Sequence, residues 1–235
     1  NISEGLFNMS SEPVSPIYKP KKKSNNSGNG SLMRLAPVGI YYSKDLKLAR
    51  KYGAESSLTT HPGTTASDAC SFLSFVIASA IHSEHTTIQS FLDDIVERYL
   101  QFVMDPDLKI LLEANASPQS TESFWCWRDS SIDPVQTLKN RGKKYNGYSV
   151  SDTYFFSYCL DALALSLHSL YTTNNPMDAI YKSINFLGDA DSTGSITGQI
   201  AGAFYGYDAL DQEAVSWVHQ WANKEIELRG ILLYH

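Results

Sequence analysis

The chain has 235 residues, 43 % of them hydrophobic and 19 % charged, with a formal net charge of -6. That length supports one large domain with a sizeable core, and the acidic balance gives no electrostatic case for nucleic acid or an anionic membrane as partner. Cys70, Cys126 and Cys159 are scattered and lack CxxC spacing, which argues against a disulfide framework or a thiolate zinc site and for small buried hydrophobes in a reduced, cytoplasmic compartment.

Residues 1–27 carry Pro13, Pro16 and Pro20, then Lys21 to Lys23 and an Asn/Ser run, with little apolar periodicity. They read as a loop or disordered lead-in to a domain over 28–235, and the lysines as a solvated charge run. From there the chain reads as helix after helix. Lys44 to Ser57 and Ser67 to Ile81 are helical by periodicity, and Ile88 to Val103 places Phe91, Leu92, Ile95, Val96, Tyr99 and Leu100 at helical spacing. Leu108 to Ala114 forms a short helix after Pro106. Residues 115–150 are irregular, with Trp125 and Trp127 suited to anchoring a loop to the core. Ser151 caps a long apolar helix to Tyr171, with Tyr154, Phe155, Phe156 and Tyr158 in its core-facing positions. Pro176 opens a helix that ends near Gly188, a second helix opens after it, and Glu213 to Leu228 closes the domain. No alternating run requires a sheet, so the fold class is all-α.

Three segments carry candidate chemistry. After Gly188, Asp189 and Asp191 are separated by one residue, with Ser192 and Thr193 directly behind. Hard oxygen donors on one turn suit Mg2+ or Mn2+ better than zinc, while the same residue types also serve as plain helix caps. Gly194, Gly198, Gly202 and Gly206 then recur at four-residue spacing, a bare ridge for close helix packing. The polar Thr193, Ser195, Thr197 and Gln199 interrupt the run, so it is not a membrane span. The third segment is Gly28-Asn29-Gly30-Ser31, a glycine-bracketed turn feeding a helix, where backbone N–H groups can hold a phosphate or the turn can be an ordinary loop. It is neither a Walker A loop nor a dinucleotide fingerprint. His82 and His85 are three apart at a helix end and fail the zincin spacing; Asp93-Asp94 reads as a solvated helix face.

In order along the chain, these segments resemble the ADP-ribosylglycohydrolase family. The run from Gly28 to Pro37 is similar to its glycine/asparagine loop, and Ser57-Leu58-Thr59-Thr60-His61 to its Ser-x-x-Thr-His segment, followed by a helix with Asp68-Ala69-Cys70. Gly147 to Thr153 resembles the lead into its long helix. Leu187 to Gly194, with Gly198 to Gly206, resembles its C-terminal metal motif and glycine helix.

The resemblance implies an all-helical domain holding Mg2+ or Mn2+, two ions in the complete site, and cleavage of the glycosidic bond between ADP-ribose and an acceptor. Asp189, Asp191 and Ser192 would be metal ligands. Gly28, Asn29, Gly30 and Ser31 would cradle the diphosphate or ribose, His61 would lie near the phosphates, and Tyr148 would wall the nucleoside pocket. The partner implied is an ADP-ribosylated protein or an ADP-ribose conjugate. No counterpart of the family's N-terminal Thr-Asp-Asp-Thr ligand run or of its acidic catalytic residue is found, so the catalytic residue is unassigned. The expectation is a partial family domain that is a poor catalyst by itself, with a non-catalytic ADP-ribose- or protein-binding helical module as the alternative.

Overall fold

A computed structural model describes residues 27–115, 125–136 and 155–235, together with the backbone of 144–145 and 148–149. At its centre lies the 18-residue helix Thr64–Ile81 (α3), buried almost continuously from Ala66 to Ala80. By length and composition alone it is apolar enough to cross a membrane. Here it is the core, because a helix that is apolar all round must be covered all round. Around it pack Ala36–Tyr41 (α1), Leu46–Leu58 (α2), Ile88–Tyr99 (α4), Pro106–Glu113 (α5), Cys159–Tyr171 (α6) and Ala190–Tyr205 (α8), while Pro176–Asn185 (α7) packs on α6 and α8.

Side-chain caps explain several of the helix starts. The Asp45 carboxylate accepts from the Lys47 and Leu48 N–H groups, Asp105 from those of Asp107 and Leu108, and the Asn175 side chain from Asp178. Each satisfies orphan donors of a first turn. Asp105 therefore starts α5 at Pro106 rather than Leu108, and Gly63 starts α3 at Thr64 rather than Ser67. The helix expected to run on to Val103 ends at Tyr99 and tightens into a 3-10 turn over Leu100–Phe102.

Three expectations fail for identifiable reasons. The long helix expected from Ser151 begins at Cys159; Ser151 and Tyr154 lie outside the described residues. Phe155, Phe156 and Ser157 are not helical, because their carbonyls serve distant partners. Ser157 O accepts from Asn29 N at 2.8 Å and Phe155 O from Asp189 N at 2.9 Å, while Cys159 N donates to Ser27 O at 2.9 Å. Phe156 is buried with φ of 71°, a conformation that no helix contains.

The single closing helix is instead two, Gln212–Ala222 (α9) and Glu225–Tyr234 (α10), broken at Asn223 with φ of 50°. Neither helix buries a residue, and Trp221 is 94 % exposed. α10 leans on α1.

The glycine ridge is close packing only in its first turn. A Cβ on Gly194 would lie 2.7 Å from Ile184 Cγ2, one on Gly198 would sit 3.9 Å from Ile180, and one on Gly202 would meet nothing within 4 Å. Gly206 ends the helix with φ of 81°. Among the described residues the architecture is all-α apart from a two-residue antiparallel ladder, Lys144–Tyr145 (β1) with Tyr148–Ser149 (β2).

Candidate functional site

The glycine loop is a 3-10 turn over Asn29–Ser31, and its fixings come from both ends of the chain. Gly28 forms an antiparallel bridge with Tyr158. Asn29 Nδ2 donates to Phe156 O and to Asp189 Oδ2, both at 2.8 Å. Below the turn, Ser31 Oγ receives the Ser57 hydroxyl at 2.9 Å and the Cys70 thiol at 3.3 Å. From α8, Ser195 Oγ donates to Met33 O at 2.7 Å, and Gln199 Nε2 reaches Leu32 O and Met33 O at 3.1 Å each. Four separated segments thus hold one short turn.

His61 covers that turn. A Cβ on Gly30 would lie 2.7 Å from its Cε1 and 2.9 Å from its Nε2, and one on Gly28 would lie 3.3 Å from Nε2. Glycine is therefore needed at Gly30 for the ring to lie where it does. His61 Nδ1 is 2.8 Å from Thr60 Oγ1, which also accepts from Arg34 Nη2 at 2.7 Å. Partial burial, and then the Arg34 charge, hold the imidazole below its ordinary pKa.

Asp189 occupies the N-cap position of α8, yet its side chain caps nothing. Only 6 % exposed, the carboxylate is turned to Asn29 and has no cationic partner among the described residues. Asp191 stands exposed in the first turn. Ser192 is buried with Oγ 3.4 Å from Met33 Sδ. Thr193, whose hydroxyl belonged to the expected knot of donors, is spent on its own helix, with Oγ1 donating toward Asp189 O and Ala190 O at 3.1 and 3.2 Å. The turn that presents this group runs through the left-handed region: Leu187 has φ of 66°, which strains a branched residue, and Gly188 has φ of 70°, where a Cβ would come within 2.6 Å of Phe155 O.

Two carboxylates and a hydroxyl are the donor chemistry of a hard divalent cation. A buried carboxylate that meets only a neutral amide is the group such a cation would neutralise. Among the described residues no cluster of three or more His, Cys, Asp or Glu side chains converges, so any ion held there would draw its protein donors from this one turn. The structure therefore brings together Gly28, Asn29, Gly30, Ser31, His61, Asp189 and Ser192, with Asp191 at the rim. Tyr148 lies in β2, and its side chain is outside the described residues.

Sequence reasoning missed the contributions of Phe155, Phe156, Arg34 and Gln199. The two phenylalanines act through backbone carbonyls, which leave no trace in residue type. Arg34 and Gln199 stood inside the motif segments but had no assigned partner. The plainer readings of other residues hold. Trp125 and Trp127 are core anchors, with Trp127 Nε1 donating to Leu111 O at 2.9 Å. His82 and His85 are exposed. Asp93 is exposed, as read, and is also paired, 2.7 Å from Arg128 Nε and 3.1 Å from the Tyr171 hydroxyl.

A family model described as ADP-ribosylglycohydrolase matches residues 2–232. The chain is 24 % identical over 199 residues to an ADP-ribosylarginine hydrolase (Tri1) of Serratia proteamaculans, covering 85 % of this chain and 44 % of that protein. It is 26 % identical over 198 residues to the protein of the same name from Pseudomonas putida, covering 84 % of this chain and 43 % of that one. A shorter match, 31 % identical over 70 residues, covers 30 % of this chain and 24 % of an ADP-ribosyl-[dinitrogen reductase] glycohydrolase of Rhodospirillum rubrum. The chain thus spans less than half the length of these curated relatives. A solved structure described as an ADP-ribosylglycohydrolase-related protein complex superposes with a TM-score of 0.64 at 23 % identity, covering 90 % of this chain and 61 % of that one, a likeness of fold. The family match spans nearly every residue and includes the gathered glycine loop, His61 and Asp189, so this chain belongs to the ADP-ribosylglycohydrolase family.

Proposed function

We propose that this chain acts on the glycosidic bond between ADP-ribose and its acceptor, with arginine, the residue in the names of two relatives, as the acceptor. The observation that carries this reading is the Asn29–Asp189 contact, which sets a buried, uncompensated carboxylate beside a glycine turn overlaid by an imidazole.

In this reading the turn at Gly28, Asn29, Gly30 and Ser31 receives the diphosphate or ribose, since its glycines allow close backbone approach. His61 supplies a neutral ring donor beside the phosphates, and Tyr148 walls the nucleoside. Asp189, Asp191 and Ser192 would hold Mg2+ or Mn2+. When bound, such an ion supplies polarisation of ribose hydroxyls and acidification of water. The leaving group departs from the anomeric carbon through an oxocarbenium-like state, as in other glycosyl transfers. Asn29, donating to Oδ2, keeps the Asp189 carboxylate aimed. Three donors from one helical turn leave most of an ion's shell to water, so the isolated chain is a slow catalyst.

A second reading, an ADP-ribose-binding module without turnover, is favoured by that same one-sided donor set, because the glycine turn and His61 are formed without it. Calorimetry with ADP-ribose, with and without Mn2+, on the chain and on Asp189→Asn separates the two. The hydrolase reading expects coupled binding of Mn2+ and ADP-ribose that the variant loses, and slow release of ADP-ribose from ADP-ribosylarginine. Binding indifferent to Mn2+ and to the variant leaves the module; no binding under any condition sinks both.

A further inference from the structure

Arg34, Thr60 and His61 form a relay that no role assigned above requires. The Arg34 guanidinium has no lone pair to offer, so in its 2.7 Å contact with Thr60 Oγ1 the hydroxyl oxygen must accept. Arg34 Nη2 also lies 3.3 Å from Ser56 O and 3.4 Å from Thr59 Oγ1, which fixes it against the end of α2. The Thr60 hydroxyl has one proton of its own, and His61 Nδ1 lies 2.8 Å from that oxygen. A cation donating to a hydroxyl polarises its O–H and makes it a better donor in turn. The favoured order is guanidinium to hydroxyl to Nδ1, which leaves Nδ1 as the acceptor and puts the ring proton on Nε2. That nitrogen overlies the Gly28–Gly30 turn.

We propose that Arg34 is a positioning residue: through Thr60 it fixes His61 in the Nε2–H tautomer, so that the ring presents a hydrogen-bond donor to an anionic ligand on the glycine turn. The inference rests on the functional reading above for the ligand, but the tautomer is a property of the free protein. The glycine turn itself brings no charge to the ring, and the end of α2 brings the hydroxyls of Ser57, Thr59 and Thr60. Arg34 is the charged group that acts on it, and it opposes a doubly protonated ring.

The test is a long-range proton–nitrogen correlation spectrum of the histidine rings in the full chain, with His61 assigned from the signals lost in His61→Gln. The expected result is Nε2 protonated and Nδ1 bare in the wild type. In Thr60→Val the proton redistributes toward Nδ1, and Thr60→Ser restores the wild-type pattern. In Arg34→Gln the His61 pKa rises and the two tautomers mix. Unchanged thermal unfolding in Thr60→Ser and Arg34→Gln keeps a folding defect out of the comparison. A wild-type ring carrying its proton on Nδ1, or an Arg34→Gln spectrum and titration identical to wild type, overturns the proposal. A titration of ADP-ribose into the same samples reads the functional assignment separately: failure to bind with the expected tautomer in place counts against that assignment and leaves the relay standing.

Discussion

Asn29 and Asp189, 160 residues apart in sequence, meet through a 2.8 Å hydrogen bond in which the amide donates to the buried carboxylate. The same nitrogen donates to Phe156 O at 2.8 Å, so one side chain ties the glycine loop to two segments from the other half of the chain. Asn29→Ala leaves a buried carboxylate and a buried carbonyl short of a donor, and should cost about 2–3 kcal/mol in urea unfolding. Asn29→Asp sets two carboxylates against each other. Its melting temperature should fall further than that of the alanine variant, and Mn2+ should restore part of the loss in the aspartate variant alone. No response to Mn2+ in the aspartate variant would mean that this corner does not accept a cation.

Three glycines should respond differently to alanine. At Gly188 the backbone has φ of 70° and the new Cβ meets the Phe155 carbonyl at 2.6 Å, a clash with main chain that cannot swing away. Gly188→Ala should cost at least about 1–3 kcal/mol for the conformation alone. At Gly30 the obstacle is the His61 ring, the movable end of a side chain. Gly30→Ala should therefore leave stability nearly intact while displacing His61 and weakening ADP-ribose binding. At Gly202 nothing lies within 4 Å, and alanine there should stabilise by roughly 1 kcal/mol through helix propensity. Thermal unfolding of the three variants checks the order.

That contrast also shows what could be read from sequence. Gly194, Gly198 and Gly202 of α8 and Gly206 at its end look identical as a spacing, yet only Gly194 is pressed by a neighbour, because small residues permit close approach without producing it. Asp189 and the glycine loop are each marked in the sequence by unusual residue types, but their contact is visible only in the structure. What fixes them together is unmarked: the carbonyls of Phe155, Phe156 and Ser157 look, in sequence, like one more apolar helical turn. Periodicity reports which face is apolar, and Phe156 is indeed buried. It does not report that the backbone of those residues has been claimed by Asn29 and Asp189.

The segment at Trp125–Arg128 offers a test of size against charge. Trp127 is fully buried, stacks edge-on against Tyr171 at 5.2 Å between ring centroids, and holds Leu111 O. Trp127→Ala should cost about 3–5 kcal/mol. The Arg128–Asp93 pair beside it is short but reaches solvent, with side-chain exposures of 30 % and 48 %. Asp93→Asn should cost under about 1 kcal/mol, and less in high salt. Urea midpoints of the two variants at low and high salt decide whether the segment is held by its rings or by its ion pair.

His168 makes stability depend on pH in a stated window. It is 2 % exposed in α6, and its Nδ1 lies 3.1 Å from Trp127 O, an acceptor only, so Nδ1 carries the proton and donates. Burial, followed by the nearby Lys182 charge, depresses its pKa to about 4, against the smaller raising effects of the Trp127 hydrogen bond and the Asp129 charge. Above the ordinary histidine value of about 6.5 the ring is neutral folded or unfolded, and its contribution is constant. As pH falls from there toward about 4 the unfolded chain binds a proton that the folded chain refuses, so stability drops through that interval and levels off below it. The full loss corresponds to about 3 kcal/mol. His168→Asn keeps an N–H for the Trp127 carbonyl and removes the titration. Its unfolding free energy should change less than that of the wild type between pH 6.5 and 4, with the two curves parallel above pH 7. Parallel curves across the whole range would show that the buried ring charges as readily in the fold as outside it.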